Sequence, residues 1–130
     1  MIGQPSGTMT VSPGEFLSTL SGRRVFFDAL YGNHGDRLLT IAAEALIARA
    51  GIAPVRRVRS AEFILVNGGG GMADGWSGLG RLATYCRSFP AVPLAVLPSS
   101  YYFTHSSLSE LCDLRRAELW LWARERPSFD

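Results

Sequence analysis

Four short apolar runs frame this chain: VFFDAL (25–30), EFILV (62–66), PLAVL (93–97) and ELWLWA (118–123), with stretches of helical spacing between them. The first is dense in Val and Phe and alternates poorly, as a parallel strand buried on both faces does. Strands alternating with helices define an α/β fold, an open parallel sheet with helices on both faces. Crossovers between such strands are right-handed, so every strand points the same way.

Local signals place the elements. Ser12-Pro-Gly-Glu15 reads as a capping box with proline at the first helical position, opening a short helix through Leu20. Arg23 to Leu30 is the first strand. From Asp36 to Ala50, apolar residues fall at Leu38, Leu39, Ala42, Ala45, Leu46 and Ala50. That is helical spacing, with Asp36 as a good N-cap and Gly51 as the stop. Pro54 to Val58 reads as a short strand. Further helices run from about Leu79 to Ser88 and, behind the capping box Ser107–Glu110, to about Leu114. Pro127 suits the first turn of another helix. Residues 1–11 read as a flexible tail and 12–130 as a single domain.

Composition narrows the chemistry. With 130 residues, 47% hydrophobic and 18% charged, the chain can bury a real core. A net charge of +2 gives no argument for nucleic acid, and the basic cluster Arg56, Arg57, Arg59 reads as a solvated connection. All 13 basic residues are arginine. The absence of lysine excludes a Walker A loop, a Schiff-base lysine and a lysine general base. Any anion must be held by arginine, backbone amides or helix ends. Cys86 and Cys112 lack CxxC spacing and read as buried thiols of a reducing compartment. Two histidines without an acid or cysteine at ligand spacing make no metal site. No signal-peptide pattern and no membrane-length apolar run is seen, so the expected location is cytoplasmic.

The residues with most chemistry follow the strands. YGNHGD (31–36), NGGGGMADG (67–75), PSSYYFTH (98–105) and ARERPS (123–128) each come after a strand-like run. In a parallel sheet all four hang over the carboxyl edge, where ligands bind in open α/β folds. The segment GGGGMA (68–73) formally satisfies G-x-G-x-x-G/A. The dinucleotide fingerprint, however, belongs on the first strand with an acid about 20 residues on, and here Phe89-Pro90 stands there. Gly68 to Gly71 therefore read either as a flexible turn or as backbone that a ligand approaches closely, with amides open to an anion. An Asp36 that caps its helix occupies the amides a phosphate would use, which leaves it to orient or deprotonate a hydroxyl. Asn33 can bond a sugar or close an Asx-turn. His34 and His105 sit on loops, where function concentrates. Arg124 either forks onto a carboxylate or phosphate or pairs with Glu125. Trp120 and Trp122 read as packing residues, and Tyr101 and Tyr102 either stack on a sugar or close the sheet edge.

GNHGDRLL (32–39), ILVNGGGGMADGW (64–76), VLPSSYYF (96–103) and ARERPS (123–128) resemble, in that order, segments of the polysaccharide pyruvyl transferase family, in its exopolysaccharide-synthesis branch. The resemblance spans about residues 23 to 130. It implies the Rossmann-like N-terminal lobe of a GT-B-like architecture, and transfer of an enolpyruvyl group from phosphoenolpyruvate to a sugar as a ketal. It implies no cofactor beyond phosphoenolpyruvate as donor substrate. The expected partners are a sugar or lipid-linked oligosaccharide acceptor, with peripheral membrane association through the acceptor, and a second copy of the chain. By motif, the catalytic set is Asp36, His105 and Arg124. The substrate-binding set is Gly32, Asn33, His34, Gly68, Gly69, Gly70, Gly71, Asp74, Ser99, Ser100 and Tyr102. Asn33 and Asp36 line the acceptor side, the glycines form the cleft floor, and Arg124 faces the anionic donor. Ser99 departs from the family's usual glutamine. The family is also longer, so the expectation is a truncated first lobe that does not catalyse alone. The alternatives are a glycosyltransferase-like half and a non-catalytic carbohydrate or nucleotide-sugar binding module.

Overall fold

The computed structural model describes residues 11–29, 34–73, 77–102 and 108–123. Ser12 caps the first helix, α1 (Pro13–Ser18), its Oγ accepting from the Glu15 amide at 3.1 Å, with proline at the helix start as expected. There follow β1 (Arg24–Asp28), α2 (His34–Arg49), β2 (Ala53–Val55) and a single 3-10 turn (Val58–Ser60). The remaining elements are β3 (Phe63–Val66), β4 (Gly69–Ala73), α3 (Ser77–Ser88), β5 (Leu94–Tyr102), α4 (Leu108–Asp113) and β6 (Leu119–Ala123).

Every strand pairing is parallel. β3 and β4 both lie along β5: Ile64, Leu65 and Val66 pair with Leu94, Ala95 and Val96, and Gly69 pairs with Ser99 at the same offset, before the register shifts between Gly69 and Met72. They are two parts of one strand interrupted at Asn67-Gly68. The sheet therefore has five positions, β2-β1-β3/β4-β5-β6, with the first strand next to the second on one side and the third on the other.

Side chains alternate across this sheet. Phe63, Leu65, Ala95 and Leu97 turn to α1 and α2, where Phe16, Leu17, Ala43 and Ile47 meet them. Ile64, Val66, Leu94 and Val96 turn to α3, meeting Leu82, Tyr85 and Cys86. Helices thus cover both faces. Trp120 and Trp122 pack as expected, their rings 4.8 and 5.2 Å from that of Phe16, and Trp122 Nε1 donates to the Val11 carbonyl. Arg56, Arg57 and Arg59 are exposed. Both cysteines are free thiols, Cys86 buried and Cys112 half-buried. Burial pushes the pKa of each up. Among the described residues no helix is long and apolar enough to cross a membrane.

Three expectations change. Gly69, Gly70 and Gly71 belong to a strand, not a loop. Glycine has low strand propensity, but here β5 supplies a parallel partner across the sheet that outweighs it. The segment Pro98–Tyr102 is likewise strand, the outer half of β5. α2 already includes His34, so Asp36 lies inside its first turn rather than at the N-cap. An acid is equally at home there, against the positive end of the helix.

Gly68 has a structural reason of its own. A Cβ at this position would sit 2.2 Å from the carbonyl oxygen of Pro98. Proline has no N–H to offer a neighbouring strand, and pairing of β5 with β6 also shifts register between Val96 and Ser99. Gly69 then takes φ 130°, a conformation that L side chains rarely adopt. The interruption between β3 and β4 is thus built around one proline and two glycines.

Candidate functional site

In a sheet of this order, chain direction reverses its progress between β1 and β3, and the crevice outside that point is where ligands bind. β1 ends at Asp28, which pairs with Val66 at the end of β3. Beyond them β4 continues outward along β5, past the ends of β1 and β3. The first turn of α2 and the first turn of α3 both lie at this edge, because each helix follows a strand that ends there.

Asn67 closes the floor. Its backbone N–H donates to the Asp28 carbonyl at 2.9 Å, and its Nδ2 donates to the Ala29 carbonyl and to Thr40 Oγ1, each at 3.0 Å. Its Oδ1 accepts from the Gly68 amide at 2.9 Å. An aspartate here would have no donors for Ala29 or Thr40. Asn67 therefore ties β1, α2 and the start of the glycine run into one unit.

Beside it stands a charged trio. Asp28, with only 7% of its side chain exposed, accepts at Oδ2 from Arg81 Nη1 at 3.1 Å and from the Tyr85 hydroxyl. Arg81 and Tyr85 are one turn apart on α3 and reach the same oxygen. The Arg81 side chain remains 58% exposed, so the buried carboxylate fixes one edge of the guanidinium and leaves the rest open to solvent. The Asp28 charge raises the pKa of Arg81. Tyr85 is pushed up to about 12, chiefly by burial and then by its hydrogen bond to Asp28.

The two helix starts differ. α2 carries Asp36 in its first turn. α3 has no acid in its first turn, and Arg81 follows directly. The start of α3 therefore opposes an anion less than that of α2 does. The carboxyl edge offers a fixed guanidinium at α3 and a carboxylate-bearing turn at α2.

Of the residues proposed from sequence, Gly68 borders the floor, Gly69, Gly70 and Gly71 form β4, and His34 and Asp36 occupy the first turn of α2. Ser100 and Tyr102 lie on the outer half of β5. Ser99 is 1% exposed and its hydroxyl donates to the Leu97 carbonyl at 2.8 Å, a bond made within the sheet. Gly32, Asn33, Asp74, His105 and Arg124 lie outside the described residues, as do Ser107 and Pro127. Sequence reasoning passed over Asp28, Asn67, Arg81 and Tyr85. The signal for the first was a lone carboxylate inside an apolar run. For the pair on α3 it was an arginine and a tyrosine at i and i+4. Among the described residues no group of three or more His, Cys, Asp or Glu is placed to hold a metal ion.

The fold is an α/β domain, an all-parallel sheet with helices on both faces, and it carries the Arg81–Asp28 ion pair at its carboxyl edge. Compared with family models, with curated proteins and with solved structures, the chain gives no match in any of the three.

Proposed function

We propose that this chain is the N-terminal, Rossmann-like lobe of a cytoplasmic GT-B-like transferase that moves pyruvate from phosphoenolpyruvate onto a sugar of an exopolysaccharide or its precursor. One observation carries the reading: a half-exposed guanidinium, Arg81, is fixed by a buried carboxylate beside an acid-free helix start, at the switch point of the sheet. Phosphoenolpyruvate is a small trianion, and a lysine-free chain must hold it with arginine and backbone amides. The four ordered motif resemblances supply the substrate class.

In this chemistry a proton adds to the enol CH2 carbon, and a sugar hydroxyl forms a bond to the adjacent carbon as it loses its own proton. A second hydroxyl then bonds to the same carbon as the C–O bond to phosphate breaks, and its proton passes to the departing phosphate, which leaves as inorganic phosphate while the ketal ring closes. Arg81 anchors the donor anion, and Asp28 and Tyr85 fix its direction. Asp36, on the neighbouring helix start, orients or deprotonates the acceptor hydroxyl. His105 and Arg124 complete the proposed set, with Asn33 and His34 on the acceptor side.

Calorimetric titration of the chain with phosphoenolpyruvate, and separately with a nucleoside diphosphate, tests the reading. Saturable binding of phosphoenolpyruvate, weakened about tenfold in Arg81→Gln, is expected. Preferential binding of the nucleoside diphosphate would replace it with a glycosyltransferase reading, and binding of neither would overturn both.

A further inference from the structure

The outward face of α2 is apolar from Leu38 to Leu46, and exposed Arg49 closes it at the C-terminal end. Leu38 is 69% and Ile41 62% exposed, and Leu46 is exposed beside them. Ala42 and Ala45 lie on the same side of the helix and are exposed too. Among its described side chains, the helix buries only Thr40, Ala43 and Ile47, on the opposite side. A helix apolar on both sides is a buried helix, so this face calls for a cover.

We propose that the cover is a second copy of this chain, docked α2 against α2 about a two-fold axis at Ile41. The charges decide the occupant. Arg37 and Glu44 are both exposed and lie two turns apart on one flank of the apolar face. When two copies of α2 run antiparallel with Ile41 on Ile41, Arg37 of each copy meets Glu44 of the other, and the same pair forms twice. Leu38 of each copy then packs over Ala45 of the other, a large side chain against a small one. The apolar face also continues into a groove between α1 and α2, about 270 Å³, lined by Gly14, Leu17, Ser18, Leu46, Arg49 and Ala50. The arrangement stands independently of the transferase reading, since none of these residues belongs to the proposed site.

Sedimentation of the whole chain over a concentration series reads this out. A monomer–dimer equilibrium is expected. Ile41→Glu, at an exposed position, should give a folded monomer with unchanged circular dichroism. Arg37→Glu should raise the dimer dissociation constant at least about tenfold by setting like charges together, and Arg37→Glu combined with Glu44→Arg should restore it. Ile41→Cys should form an intermolecular disulfide on mild oxidation. A wild-type chain that stays monomeric throughout, or a dimer indifferent to both Ile41→Glu and Arg37→Glu, would overturn the proposal. So would a monomer that Ile41→Glu destabilises, because the face would then be covered by the chain's own residues.

Discussion

Two arginines hold α3, one near each end, and in different ways. Arg81, near the start, bonds a carboxylate and keeps more than half of its side chain exposed. Arg115, in the turn after α4, is half-buried and donates to the Phe89 carbonyl at 3.0 Å, to the Val92 carbonyl, and to the Tyr85 carbonyl at 3.4 Å. Its Nε is buried without a hydrogen-bond partner among the described residues. The pKa shifts go in opposite directions: Asp28 raises that of Arg81, while burial lowers that of Arg115. Arg115 spends its donors closing the C-terminal end of the helix, where orphan carbonyls need partners. Arg81 is anchored but unsaturated. One residue type thus serves as a cap at one end and, by our reading, as an anion clamp at the other.

The sharpest way to separate them is to remove each. Arg115→Met keeps the aliphatic bulk and strips the donors from three carbonyls. It should cost about 3 kcal/mol, seen as a lowered denaturation midpoint, because hydrogen bonds from a charged donor are worth about 1.5–3 kcal/mol each and the carbonyls are only partly resolvated. Phosphoenolpyruvate affinity should be untouched. Arg81→Gln should do the reverse, costing about 1 kcal/mol or less in stability, since the ion pair is more than half exposed on the arginine side, while affinity falls. Equal stability losses would break the comparison.

How much of this was legible follows from the range of each interaction. The Ser12 cap, the α2 spacing and the strand-like runs are local, and the sequence displays them directly. β4 was hidden because Gly69-Gly70-Gly71 has no strand signature of its own; its pairing is supplied by Ser99, Tyr101 and Tyr102, about a strand and a helix away. The glycines looked like a ligand-facing loop, yet the nearest reason for Gly68 is the carbonyl of Pro98. The Asp28–Arg81–Tyr85 trio was hidden for a similar reason. Its contacts join residues 53 and 57 positions apart, and only the parallel register that sets β1 beside β3 brings them together. The shared edge was foreseen, because a parallel sheet puts every strand end on one side.

The last test reads the difference between the two arginines through the tyrosine between them. Tyr85 has its pKa pushed from the usual 10.0 to about 12. Below pH 10 the phenol is neutral in both native and unfolded chains, and its contribution to stability is fully present. Between about pH 10 and about pH 12 the unfolded chain gives up this proton while the native one retains it, so stability should fall as pH rises across that window. Melting experiments over this range should show a shallower decline in Tyr85→Phe. Ultraviolet titration of the 4 tyrosines should lose its highest-pH step in the same variant. Arg81 favours the phenolate, so Arg81→Gln should push that step higher still. Arg115 touches only the Tyr85 carbonyl, so Arg115→Met should leave the step where it is. A step that moves with Arg115 and ignores Arg81 would place the hydroxyl of Tyr85 away from Asp28, and the anchor of the proposed anion site with it.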